Sequence, residues 1–462
     1  MECKVFVPFG ALGIGMTRKE FEQGLKFKPD IICSDAGSTD SGPYYLGTGT
    51  SKYARESVKE DLRLMIKGGQ QLSIPIAIGS AGTCGVDRSV DEVEAICLEI
   101  CEEEKIEAKI AKIYTEQAPS RMKEAYRAGR IHPLEGAPTI DETTFDDCSH
   151  IVALAGVEPF IEALNNGADI IISGRATDTA VIAALPILRG CDIASSWHGA
   201  KIAECGPICT TTPMDGGVLL TVGKDYFTIQ PTIEESQCTV WTVSSHMLYE
   251  NADPYRLIEP SIVLNTKEAT YTQVDDRTVK VSGANYTNKP NTLKLEGAGP
   301  VGYQTISLVG IKDREILTDP ETWIEGLSEK VVAEIEELGI PKEAYDFDLK
   351  PYGWNAVSPA EVPGGYIPNE LGILLVVTAT SQALATKIAK IFNPKLLHFS
   401  LDKYEPMPSF AFPFSPAEIQ RGPVYEFKLH HVLEVEDFFD YIRVEYREVN
   451  QGKRRDSLAD HR

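Results

Sequence analysis

Basic residues are in short supply. The 462-residue chain has 45 Lys and Arg against 68 Asp and Glu, for a formal charge of −23 and a pI near 4.9. Nucleic acid and anionic membrane are therefore not expected as partners, because phosphate contacts require clustered cations. A small anionic substrate stays open, since one or two local Arg residues can hold it. No apolar run reaches the length of a bilayer span; the longest, "LGILLVVTAT" and "AVIAALPIL", suit buried strands or helices. Ten cysteines are too few for a disulfide framework, and Cys97/Cys101 and Cys205/Cys209 lack the CxxC spacing of a zinc site. The eight histidines form no HExxH or HxH, so a dedicated zinc centre is not expected. The opening "MECKVFVPFGALGIGMTRKEF" lacks the basic leader and long apolar core of a secretion signal. A reducing, cytoplasmic setting is the expectation.

Nucleotide fingerprints are missing as well. Gly10, Gly13 and Gly15 read GxxGxG, the wrong order for a dinucleotide turn, and no GxxxxGK[ST] occurs. A close strand-to-helix turn is the first reading of those glycines and a nucleotide site the second.

What the chain does contain is ordinary globular composition, 43% hydrophobic and 24% charged, in enough length for two or three domains. The first half repeats apolar strand, Gly/Ser/Thr-rich turn, amphipathic helix. Examples are "KVFVPFGALGIG" before "TRKEFEQGLKF", and "IPIAIGSAGTCG" before "SVDEVEAICLEICEEE". "HIVALAG" and "ADIIISG" extend the series. Uniformly apolar strands alternating with helices predict a mainly parallel, three-layer, Rossmann-like sheet over residues 1–215. From about Gly216, Val-, Thr- and Tyr-rich segments such as "CTVWTVSSH" and "ATYTQVDDRTVKVSGA" predict an α+β region rich in antiparallel strands over 216–450. Residues 451–462 read as a disordered polar tail.

In a parallel sheet, ligands collect at the carboxyl ends of the strands, where the polar glycine loops fall. "SDAGSTDSG" offers Asp35 and Asp40, carboxylates suited to a divalent cation such as Mg2+ or to acid–base work. The plain alternative is an Asx-type turn. "IGSAGTCGVDRSVDEV" sets Ser80 and Thr83 in a glycine turn that feeds a helix, with Arg88 close by: an anion site, or simple capping by Ser89 and Glu92. Cys84 there is a weaker candidate nucleophile. In "GADIIISGRATDTAV", Arg175 suits bidentate carboxylate recognition, and Asp178 is either its ion-pair partner or a helix cap. "WHGAKIAECGPICT" gathers His198, Lys201, Glu204 and Cys205; His and Glu are readily tuned to move protons. The alternative there is a surface strand with a snorkelling Lys. His246, His132, His430 and His431 carry no assigned role.

The segments "GADIIISGRATDTAV", "IAECG", "SSHMLYENADPYRL", "VKVSGA" with "NTLKLEG", and "FAFPFSPAEIQRGPVYEF" resemble the acyclic terpene utilisation protein family, formerly a domain of unknown function. The resemblance runs from the first strand to about Val444. It implies a catabolic role on hydroxy or acyl acids, as in bacterial citronellol and geraniol breakdown, and for some members a small companion protein. It also implies Arg175, Asp178, Glu204 and Cys205 as site residues. The first glycine loops depart from the family pattern, so nothing is carried onto them.

Together these features predict a hydro-lyase or carbon–carbon lyase acting on a hydroxylated or branched carboxylic acid or its CoA ester. Arg175 and Arg88 would clamp the carboxylate, with Ser80 and Thr83 assisting. Asp35 and Asp40 would hold the cation, and Glu204, His198, Cys205 and Asp178 would do the chemistry. The alternatives are a non-catalytic acid- or acyl-CoA-binding subunit and, on the early glycines alone, an NAD-dependent oxidoreductase. A homo-oligomer is expected.

Overall fold

Period-two alternation in the first strands feeds two separate cores. Val5 and Val7 pack into one and Phe6 into the other; Ile31 and Cys33 oppose Ile32, and Ile171 opposes Ile170 and Ile172. A sheet apolar on both faces needs a layer on each. One face is covered by Phe21 and Leu25 of the helix Arg18–Leu25, Leu62 and Met65 of Arg55–Leu72, and Val90, Val93 and Ile100 of Asp87–Glu104. The other is covered by Met122, Phe160, Val181, Ile182 and Trp197, from the helices Pro119–Arg127, Glu158–Asn165, Ala180–Leu188 and Ile193–Ala203.

The computed structural model describes residues 2–249, 251, 253–358, 364–401 and 410–450. Five strands lie parallel, in the spatial order Cys3–Val7, Ile31–Ser34, Ile76–Ile78, Ile170–Ser173, Ala108–Tyr114. Antiparallel strands extend the sheet at both edges. Val218–Val222, Tyr226–Pro231, Val279–Ser282 and Thr270–Gln273 follow outward from Cys3–Val7, and Arg443–Val449 lies beside Ala108–Tyr114. The protein is thus α/β, but its ten-stranded sheet is mixed rather than uniformly parallel. Two of the added pairs, Val218–Val222 with Tyr226–Pro231 and Thr270–Gln273 with Val279–Ser282, are joined by short hairpin connections, which permit only antiparallel pairing.

Three elements depart from expectation. His150–Ala153 leaves the parallel series and pairs antiparallel with Leu295–Ala298. "CTVWTVSSH" supplies a helix, Val240–Ser245, because Thr239 and Thr242 form a reciprocal cap that outweighs the β-propensity of the run. "WHGAKIAECG" is likewise helical to Ala203, not a surface strand.

Compactness divides the chain into residues up to Gly299 together with those from Phe427 onward, and Pro300–Glu426. The texture change near 216 coincides with the turn from parallel to antiparallel strands, whereas the compact units meet at 299/300 and 426/427. In the second unit, residues 303–311 pair with Leu371–Ala379, which pairs with Tyr345–Tyr352. The helices Pro320–Glu337 and Gln382–His398 bury Trp323, Leu327, Val331, Ile388 and Phe392 against Ile373, Leu375 and Val377. The tail 451–462 lies outside the described residues. No described helix is long and apolar enough to cross a membrane.

Candidate functional site

Four neighbouring parallel strands end in four glycine-containing loops, and backbone hydrogen bonds stitch those loops together. Leu12 N donates to Asp35 O at 2.8 Å, Ser80 N to Gly174 O at 3.1 Å, and Arg175 N to Gly85 O at 3.1 Å. The last contact explains a glycine. Gly85 has φ +68°, and a Cβ on it would lie 2.2 Å from Arg175 N. Gly10 is similarly confined, since its Cβ would lie 2.7 Å from Cys205 O. Small residues at these positions are what allow the loops to converge.

The convergence creates a cavity of about 520 Å3, with Asp35, Asp178, Glu204 and Cys205 in its wall and Asp40 at its margin. Ser38, Asp40 and Asp178 also border a second hollow of about 480 Å3, which includes Arg175, Lys294, Glu296 and His430. The two hollows therefore share a wall.

Asp35 is 3% exposed. Gly37 N donates to its Oδ2 at 2.7 Å, while the buried Oδ1 has no hydrogen-bond partner among the described residues. Burial pushes its pKa up to about 6, against the opposing pull of the Arg175 guanidinium and the Gly37 N–H. Asp40 is exposed and accepts from the Ser38 hydroxyl. Among the described residues, no group of three or more His, Cys, Asp or Glu is arranged to hold a metal ion.

Arg175 lies beside Asp35, but protein groups occupy it. Its Nε donates to Glu296 Oε2 at 3.2 Å and its Nη1 to Gly37 O at 2.6 Å and Ser80 Oγ at 3.1 Å. Glu296 also pairs with Lys294 at 2.9 Å. Burial would raise the Glu296 pKa, yet Arg175 and Lys294 together hold it below its ordinary value. The carboxylate expected for an Arg175 clamp is thus present as Glu296, and Arg175 braces the loops. Ser80 serves the same brace. Thr83 accepts from Lys52 N at 3.2 Å and packs near Gly37.

Arg88 and His198 stand apart from the cavity wall. Arg88 is exposed, donating to Gly49 O and pairing with Glu92 at 3.3 Å, because the first turn of its helix points it outward. His198 is 0% exposed, with Nε2 3.0 Å from the Tyr271 hydroxyl and its ring packed edge-on to Phe227. Burial lowers its pKa to about 3, so it stays neutral. Neither the Arg88 expected to bind substrate nor the His198 expected to be catalytic lines either hollow. Cys84 is buried and shares a hydrogen bond with Ser89 at 3.4 Å.

Sequence reasoning missed three features. Lys201 is buried and donates to Glu204, an i,i+3 pair on one helix face. Burial alone would lower the Lys201 pKa, but Glu204 reverses the shift and raises it. Lys52 is the sole cation among the described residues of the first cavity's wall. Glu259 and Glu296 are buried acids contributed by the later, strand-rich segments. The Lys201–Glu204 spacing was legible once the segment was taken as a helix; nothing local marks the other two.

A family model described as acyclic terpene utilisation family protein AtuA matches residues 45–214 and 223–401. The chain belongs to the acyclic terpene utilisation family. No curated relative and no solved structure matches it. The acyclic terpene utilisation match covers Arg175, Asp178, Glu204, Cys205, Glu259 and Glu296, and begins after Asp35 and Asp40.

Proposed function

We propose that this chain is a catabolic lyase, a hydro-lyase or carbon–carbon lyase, acting on a hydroxylated or branched carboxylic acid or its CoA ester. The observation that carries the reading is Asp35: a buried carboxyl with an unpartnered oxygen, in a cavity wall, with a pKa near 6. Such a group both holds and releases a proton near neutral pH. Glu204, charge-paired with Lys201, shares that wall. Two carboxyl groups in different electrostatic settings are what acid–base elimination requires. One takes the proton next to the substrate carbonyl, and the other protonates the departing hydroxyl. In carbon–carbon cleavage the base instead takes the hydroxyl proton, and the acid protonates the carbanion that leaves.

Lys52 replaces Arg175 and Arg88 as the group that meets the substrate's anionic end, because the rest of the wall is acidic or neutral. Protonation of Asp35 removes one charge that would repel an acid. Asp178 and Cys205 complete the polar floor.

The test follows gain or loss of conjugated double bonds across a panel of hydroxylated and branched acids and their CoA esters, with and without magnesium. Asp35→Asn keeps the Gly37 contact and removes the titrating proton. It is expected to lower kcat by about 10^2–10^4-fold without changing the circular dichroism spectrum. Turnover equal to the native protein's would end the assignment. Binding without turnover, with activity appearing only on addition of a partner protein, would favour a binding subunit instead.

A further inference from the structure

The turn that carries Asp178 is held from behind by an acid that plays no part in the mechanism above. Thr177 and Thr179 flank Asp178. Thr179 Oγ1 donates to Glu259 Oε1 at 2.9 Å and lies 3.2 Å from Thr177 Oγ1. Glu259, just beyond the strand Arg256–Ile258, is 7% exposed, and its Oε2 has no hydrogen-bond partner among the described residues.

The charged groups around Glu259 come from two places. Lys201 and Glu204, at the end of the helix Ile193–Ala203, both act on it, as does Lys289 beyond the strand Asn285–Asn288. Lys201 is committed to Glu204. Lys289 Nζ donates to Pro260 O at 2.9 Å and Pro290 O at 3.2 Å and to the Thr292 hydroxyl. No ion pair to Glu259 exists among the described residues. A carboxylate there would be buried, uncompensated and close to a second carboxylate.

We propose that Glu259 is a positioning residue that works as a neutral acid: its carbonyl oxygen holds Thr179, and through it Thr177, on either side of Asp178, and ionisation beside Glu204 drives the uncompensated carboxylate out of its buried place and takes that hold with it. The activity part of this rests on the acid–base reading of the cavity; the stability part stands without it. The electrostatics agree with the geometry. Burial first, then Glu204, raises the Glu259 pKa to about 8, with Thr179, Thr177 and Lys201 opposing.

The test compares the native protein with Glu259→Gln, which is neutral at every pH and can still accept from Thr179, and with Glu259→Leu, which cannot. The first readout is thermal stability against pH. An unfolded glutamate ionises near 4.5, whereas the folded one holds its proton to about 8. Native stability relative to Glu259→Gln is therefore fully present below pH 4.5 and lost as pH rises through 8, after which the gap is constant. The second readout is kcat/KM on any acid the panel shows to be turned over. The native protein should lose activity about tenfold per pH unit above 8. Glu259→Gln should not, and Glu259→Leu should be impaired throughout.

Melting curves of the native protein and Glu259→Gln that run parallel from pH 5 to 8.5 would overturn the proposal. So would a shared alkaline limb, or failure of Glu259→Gln to fold, since a neutral isostere must be tolerated where the resident is neutral. If no acid is turned over, the lyase reading fails while the melting comparison still decides Glu259.

Discussion

Replacing Glu296 with leucine removes the carboxylate that faces the Arg175 guanidinium at 3.2 Å, and both side chains are only 4% exposed. Lys294, on the other oxygen of Glu296, is one-third exposed and can return to water. Arg175 cannot. It keeps Gly37 O and Ser80 Oγ, which bind the guanidinium without neutralising it. Removing one partner of a buried pair costs about 3–5 kcal/mol. The two retained hydrogen bonds, and Asp178 and Asp35 nearby, place this case at the low end, about 3 kcal/mol. Urea unfolding of the native protein, Glu296→Leu, Arg175→Met and the double variant gives the coupling directly. The double variant should lose about 1–3 kcal/mol less than the sum of the singles. The pH dependence has a definite sign. Glu296 is held below its ordinary 4.5, so its contribution is present above pH 4.5 and lost as pH falls through the lowered value. Glu296→Leu should lack that acid loss. Additive single effects, or an unchanged acid limb, would refute a brace built on this pair.

Two further outcomes follow from the same loops. Gly85→Ala should destabilise by about 2–5 kcal/mol, combining left-handed strain with overpacking against the Arg175 backbone, read as a lower urea midpoint. Lys52→Met should raise KM for an anionic acid about tenfold with kcat little changed, and leave the KM of the matching neutral amide alone.

Much of the architecture was legible from pattern. The centres of runs such as "PDIICS" and "ADIIIS", Ile31, Ile32 and Cys33 in one and Ile170, Ile171 and Ile172 in the other, are apolar at every position because both faces of the sheet are covered. That the antiparallel strands expected after Gly216 would join the same sheet was not legible, because it depends on which edge a distant segment reaches. Arg443–Val449 reads as a polar strand with no mark of its partner Ala108–Tyr114. At the site, the loops holding Asp35, Arg175 and Asp178 could be picked out because turns after buried strands share one end of a parallel sheet, whereas Glu204 and Cys205, just past the helix Ile193–Ala203, were singled out by residue type and the family resemblance. The role of Arg175 could not, since its partner Glu296 lies 121 residues away. His198 misled for a related reason: its residue type is versatile, but its burial was set by Phe227 and Tyr271.

The return of the chain at Phe427 has a consequence for synthesis on the ribosome. Leu429 and His430 help wall the second hollow, and Arg443–Val449 covers the outer edge of Ala108–Tyr114. Until these last segments emerge, the nascent polypeptide carries a strand reading "AKIAKIY" whose outward amides and carbonyls await a mate, an invitation to stray pairing. A chain cut short after Glu426 would leave that edge bare, so arrival of Arg443–Val449 is the step that closes it.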